Sequence, residues 1–123
     1  MNDSASRFVV EIAREFTQLI ISTELDWFHG YLRFKSEEST FGLTAAIAHS
    51  AGVQIVSALK NGDFFERINE ICREMINSLE SNTGVFLLIV DKNFNFEIKF
   101  EWKNLERWRI SKLNGATGIP EGL

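Results

Sequence analysis

The chain has 123 residues and a formal net charge of −4, with one cysteine and one proline. This length accommodates one domain with a sizeable core, and a hydrophobic content of 45%, including eleven Phe, excludes a globally disordered chain. The single cysteine excludes an intrachain disulfide and a cysteine-cluster metal site, the acidic balance disfavours non-specific nucleic-acid binding, and no apolar run is long enough to span a bilayer.

The first predicted element is an amphipathic helix that begins near residues 3–6 and ends near Thr23. Three strands of alternating apolar and polar residues follow at 26–35, 41–48 and 53–59, joined by polar or glycine-containing turns. Several alanines between 45 and 51 also suit a helix, so residues 41–59 are either two strands or partly helical.

A second helix is predicted after the break at Asn61-Gly62, and it should end near 81–82. Asp63 and Glu66 match a capping box, with Asp63 as the N-cap residue. Apolar residues recur on one face of this helix at steps of three and four: Phe64, Ile68, Ile71, Cys72, Met75 and Leu79.

The opposite face of the second helix is highly charged. Glu70 and Glu74 each lie within four residues of Arg67 or Arg73, a spacing that predicts ion pairs along the helix surface.

The last part of the chain predicts a hairpin and an irregular end. The continuous apolar run 85–90 indicates a strand covered on both faces, and 94–102 alternates between a mostly aromatic and a polar face. A short helical turn is expected within 103–110, followed by a loop-like tail at 111–123. The order α-β-β-β-α-β-β predicts one α+β domain over 1–123, with an ordered core at about 6–110 and helices on the aromatic face of an antiparallel sheet of about five strands.

Candidate catalytic groups are few. His29 and His49 have no metal-ligand spacing, and Cys72 lies on the apolar face of its helix, where packing is its usual role. Glu97 and Glu101 flank Lys99 on one strand face, a pattern typical of a solvated surface rather than a tuned acid pair. The sequence therefore predicts a binding protein rather than an enzyme, with no cofactor and no metal.

The charge is unevenly distributed. Residues 103–123 carry four basic and two acidic side chains, a balance of +2, which leaves −6 on the other 102 residues. An acidic body favours a basic protein partner. The predicted partner-binding residues are on the polar face of the last strand and just after it, although packing is the alternative role for the tryptophan: Asn95, Glu97, Lys99, Glu101, Trp108 and Arg109.

The arrangement of these elements resembles a known family. The features are the N-terminal amphipathic helix, the segment Asp26-Trp27-Phe28-His29-Gly30-Tyr31, a middle helix with Phe64-Phe65, and a final hairpin whose strand 94–102 is followed by Arg107-Trp108. Over roughly residues 8–110 the chain resembles the YezG-like immunity proteins, small antitoxins of bacterial polymorphic-toxin and contact-dependent growth inhibition systems. The tail at 118–120 departs from the pattern, since it gives no clear terminal helix.

The resemblance implies a cytoplasmic protein that binds a cognate toxin domain, often a nuclease, and blocks its active site or substrate surface. No direct contact with nucleic acid or membrane is expected, and the sequence leaves open whether the protein forms a homodimer. One alternative is a type III secretion chaperone, although Pro120 and nearby glycines occupy the place of its usual closing helix. Another is a small enzyme that uses His29 or His49.

The absence of a signal-peptide pattern at residues 1–4 also predicts the cytoplasm.

Overall fold

Five antiparallel strands form one sheet, and two helices lie against one of its faces. The computed structural model describes residues 3–123. Its elements are α1 (Asp3–Ser22), β1 (Trp27–Glu37), β2 (Thr40–His49), β3 (Gly52–Ile55), α2 (Gly62–Ser78), β4 (Thr83–Asp91), β5 (Phe96–Glu101) and a 3₁₀ turn (Leu113–Gly115). The strands lie in the order β3-β2-β1-β4-β5. The predicted α+β class and element order are confirmed.

The larger hydrophobic core lies between the sheet and the two helices. Phe16 of α1, Phe34 of β1 and Phe86 of β4 are completely buried there, and the last two rings lie 5.6 Å apart. At Gly30 the helix passes so close to β1 that a Cβ atom would collide with Ile20. Glycine is therefore required at this crossing by space rather than by backbone conformation.

Residues 41–59 form strands and turns but no helix, so the two-strand alternative is the correct one. β2 pairs with β1 along its whole length, but β3 ends at Ile55 instead of extending to residue 59. The Val56 N–H still donates to the Ala45 carbonyl, and the chain then leaves the sheet in a turn closed by the Asn61 N–H, which donates to the Ser57 carbonyl. Leu59, at the end of the predicted third strand, therefore lies outside the sheet and is exposed.

The second helix begins two residues earlier than its capping box predicts. Asn61 occupies the N-cap position without a side-chain cap bond, since its Nδ2 donates to the Ser57 carbonyl instead. The prediction of Asp63 as N-cap is wrong. Asp63 lies in the first turn, where its negative charge is favourable near the helix N-terminus.

The second face of the sheet is covered by the chain after β5. Trp108 and Ile110 pack on Tyr31, Leu87 and neighbouring small residues in a separate, smaller core. Residues 105–108 form turns, and apart from the 3₁₀ turn the tail has no helix or strand. The tail is nevertheless packed, because Ile119 adjoins the same cluster and the Gly118 and Glu121 N–H groups donate to Ser111 and Arg109.

The signal-peptide prediction concerns residues 1–4, of which 1 and 2 lie outside the described residues. Within residues 3–123, no helix is both long and apolar enough to cross a membrane.

Candidate protein-binding surface

The polar face of β5 is accessible at one end. Asn95 and Glu97 are exposed and Lys99 is half-buried. The Asn95 N–H donates to the Asp91 carboxylate at 3.1 Å, and this bond belongs to the turn that joins β4 to β5. Hydrogen bonds from the backbone of Asn95 and Asn93 lower the pKa of Asp91. Glu97 and Lys99 are the charged members of the predicted surface that form no ion pair within residues 3–123.

Glu101, at the other end of the same face, is used inside the molecule. One carboxylate oxygen accepts from Arg107 Nη1 at 2.8 Å, and the other accepts from the N–H groups of Lys103 and Asn104. The Arg107 bond, together with the two backbone bonds, lowers the pKa of Glu101 to about 2. The side chain thus fixes the turn out of β5, a role that the alternation of the strand does not reveal.

The remaining two predicted residues differ from each other. Trp108 is 2% exposed and belongs to the smaller core, so its role is packing, the alternative noted from the sequence. Arg109 is exposed and pairs with Glu106 at 2.7 Å, while Lys35 pairs with the same carboxylate at 2.8 Å. Hydrogen bonds from Lys35 and Arg109 lower the pKa of Glu106 to about 2. Of the four basic residues of the C-terminal segment, Arg107 and Arg109 are thus paired, whereas Lys103 and Lys112 form no ion pair within residues 3–123.

On the solvent face of α2, in contrast to the acids Glu101 and Glu106, the acidic side chains form no ion pairs within residues 3–123. Four acidic side chains recur at spacings of three and four residues, so they line one side of the helix over roughly 16 Å. All four are exposed, and none forms an ion pair with any residue of 3–123. We call this set the α2 acidic face: Asp63, Glu66, Glu70 and Glu74.

The two arginines expected to neutralise this face point elsewhere, and the predicted ion pairs along α2 are therefore wrong. Arg67 pairs with Glu15 at 3.0 Å and Glu11 at 3.4 Å, both on α1. The Arg73 guanidinium lies 4.5 Å from the ring centroid of Phe41 in β2. Both arginines contact side chains of neighbouring elements rather than side chains of α2. The residue pattern of a single helix gives no information about which elements pack beside it.

An apolar groove runs between α1 and the end of the β4–β5 hairpin. Its volume is about 330 Å³, and its walls include Val10 and Ile21 of α1 together with Phe94 and Phe96. Arg14 lies at its rim and forms no ion pair within residues 3–123. The aromatic face of the last strand was predicted to be core, but Phe94 and Phe96 are 68% and 45% exposed. The periodicity identified the face correctly; it could not show that β5 lies at the sheet edge, beyond the cover of α1.

The two histidines do not converge on a common site. His29 pairs with Ala48 and stacks on Tyr31 with the ring centroids 6.1 Å apart, on the face covered by the C-terminal segment. His49 is paired with Trp27, whose side chain belongs to the helix-side core. Directly paired residues share a sheet face, so the histidines lie on opposite faces. The His49 Nδ1 accepts the Ala51 N–H, at 3.3 Å, within its own turn.

Cys72 is completely buried among apolar side chains, and this burial raises its pKa well above the ordinary value. A thiol in that state is a poor nucleophile. Among the described residues, no group of three His, Cys, Asp or Glu side chains is placed to hold a metal ion.

Comparison of the chain with family models and with curated proteins gives no match. The surface chemistry itself is therefore the basis for a functional proposal.

Proposed function

We propose that this chain is an immunity protein of a bacterial toxin system. It would act in the cytoplasm, bind the cognate toxin domain and cover its active site or substrate surface. The toxin class best matched by the charge of this chain is a nuclease, because a protein that neutralises nucleic-acid phosphates carries a basic surface. Inhibition would be steric and electrostatic, without chemistry on the toxin.

The observation that carries this proposal is the α2 acidic face. Its four carboxylates form no ion pair within residues 3–123, whereas Glu101 and Glu106 are paired with Arg107, Arg109 and Lys35. Complementary charge raises the association rate and favours the right partner over wrong ones. We therefore place the toxin-binding surface on α2, with exposed Glu97 and half-buried Lys99 of β5 as the sequence-predicted alternative.

The first test is protection. The proposal predicts that the gene directly upstream encodes the toxin, so the C-terminal domain of that gene's product is expressed alone and together with this chain. We expect growth arrest with the domain alone, normal growth on co-expression, and co-purification of the two proteins. Absence of both protection and a complex would refute the proposed function.

The second test locates the surface with charge-matched variants. Glu70→Lys/Glu74→Lys reverses two charges on α2, and Glu37→Lys/Glu38→Lys reverses two exposed charges at the β1–β2 turn. We expect the α2 pair to weaken toxin binding about tenfold or more, mainly through the association rate at low salt, and the turn pair to leave it nearly unchanged. Glu97→Lys is the third arm: if it alone weakens binding, the surface is on β5 and not on α2.

A further inference from the structure

The two edges of the sheet are unequal. β3 is an edge strand of four residues, which is a common way to avoid edge-to-edge pairing. β5 is the other edge strand, with six residues and no described element beside it. It thus presents the longer template for a further strand.

The hydrogen-bond direction along β5 follows from one contact. The Asp91 N–H donates to the Asn95 carbonyl at 3.0 Å, so position 95 faces β4. Bonding partners alternate along an antiparallel ladder, and Glu97, Lys99 and Glu101 therefore also bond to β4. The N–H and C=O groups of Phe96, Ile98 and Phe100 consequently point away from the sheet.

Large apolar side chains are exposed along the same edge. Phe94, Phe96 and Trp102 are 68%, 45% and 43% exposed, and the Trp102 ring stacks on Phe100 with centroids 5.4 Å apart. An exposed apolar row on a strand with free backbone groups is a marker of an interaction site.

We propose that β5 pairs with β5 of a second copy of this chain, antiparallel about a two-fold axis at Ile98. This places Glu97 of each copy opposite Lys99 of the other, and Phe96 opposite Phe100. Each contact occurs twice because the interface is symmetric. Phe94 of one copy and Trp102 of the other then meet at the two ends of the paired strands.

The charges on β5 and the length of the strand together select this register over its neighbours. With the axis at Lys99, the same backbone bonding would place Lys99 against Lys99 and Glu97 against Glu101, and like charges directly opposite each other are destabilising. With the axis at Phe100, Phe96 would lie opposite Asn104, beyond the strand end. Only the axis at Ile98 gives opposite charges and keeps 96–100 paired throughout.

A charge swap tests both pairing and register by sedimentation equilibrium. We expect wild type to reach twice the 14.1 kDa mass of one chain. E97K and K99E should each raise the dimer dissociation constant about tenfold or more, because each creates two like-charge pairs. The double variant E97K/K99E should restore the wild-type constant, since the opposite charges face each other again. A monomeric wild type, or a double variant no better than the single ones, would overturn the proposal.

Amide hydrogen exchange of the wild-type protein gives a second test, and its result does not depend on whether a variant folds correctly. The N–H groups of Phe96, Ile98 and Phe100 should exchange more slowly as protein concentration rises, while those of Glu97 and Lys99 stay constant because they bond to β4. Concentration-independent exchange at all five positions would contradict self-pairing. Neither experiment requires a toxin, so the dimer can fail while the proposed function stands.

Discussion

The α1–α2 layer covers one face of the sheet, and the core between them contains the fully buried Phe16, Phe34 and Phe86. The segment after β5 covers the other face with a smaller apolar cluster around Trp108. The second cover is attached by polar contacts as well: Arg33 of β1 donates from Nε to the Arg107 carbonyl at 2.8 Å and from Nη2 to the Leu105 carbonyl at 2.6 Å.

This difference shows how an irregular segment can be attached to a sheet without an amphipathic helix. A helix satisfies its own backbone groups and needs only an apolar stripe, whereas turns leave carbonyls that must find other donors. Arg33 supplies two such donors in a fixed fork, and Lys35 and Arg107 add ion pairs with Glu106 and Glu101. The helix side should therefore depend on packing, and the segment side on polar geometry and charge.

Two adjacent residues of β4 provide the sharpest comparison of the faces. Leu88 faces the helix-side core and Leu87 the smaller core, and both are completely buried. Leu→Ala in a core costs about 2–5 kcal/mol, and the cost is lower where the surroundings collapse into the space. We expect Leu88→Ala near the top of that range and Leu87→Ala near the bottom, measured as the free energy of unfolding in urea.

Leu59→Ala is the matched control, since Leu59 is 95% exposed and its truncation should change the unfolding free energy by about 0.5 kcal/mol or less. Equal costs at the two β4 positions, or a larger cost at Leu87, would show that the C-terminal segment is as rigid a cover as the helices.

The sequence predicts the helix side of this comparison much better than the segment side. The periodicity of α1 and the unbroken apolar run of β4 depend on local neighbours, and both elements appear where expected. The alternation of β1 assigns Arg33 to the polar face, but it cannot show that a segment more than 70 positions later covers that face. The α2 acidic face was missed for the same reason: only the contacts to α1 and Phe41 show that Arg67 and Arg73 leave it unpaired.

Replacing Arg33 should detach the segment without disturbing the helices. Burial lowers the pKa of Arg33, and Glu106 nearby opposes that shift. Arg33→Met leaves the Leu105 and Arg107 carbonyls without their donor, which costs about 1–3 kcal/mol where such groups stay buried. Arg33→Lys keeps the charge but loses the fork, so its cost should be intermediate.

The measurement for the arginine variants is amide exchange in residues 103–110 compared with α1. We expect faster exchange in the segment and unchanged exchange in the helix. Equal acceleration in both regions would mean that the segment and the helices unfold as one unit. The two faces would then not differ in local stability.

The smallest expected effect is a dependence on acid that is confined to the segment. The pKa values of Glu101 and Glu106 fall from an ordinary 4.5 to about 2 in the folded chain. A carboxylate with a lowered pKa stabilises the folded state above its ordinary pKa, and that contribution is lost as the pH falls toward the lowered value. Between about pH 4.5 and 2 the turn after β5 and the Arg109 contact should therefore loosen.

The indole N–H resonance of Trp108 reports this loosening directly. The ring belongs to the segment that these carboxylates hold, and it is buried against the sheet. We expect it to shift and broaden on acidification before the resonances of the α1 amides change. Glu101→Gln/Glu106→Gln should show the loosened Trp108 signal already at pH 7 and little further change down to pH 3, since the groups that titrate have been removed. If the double variant keeps the full acid response, other carboxylates control the segment, and its attachment does not depend on the ion pairs that distinguish it from the helical cover.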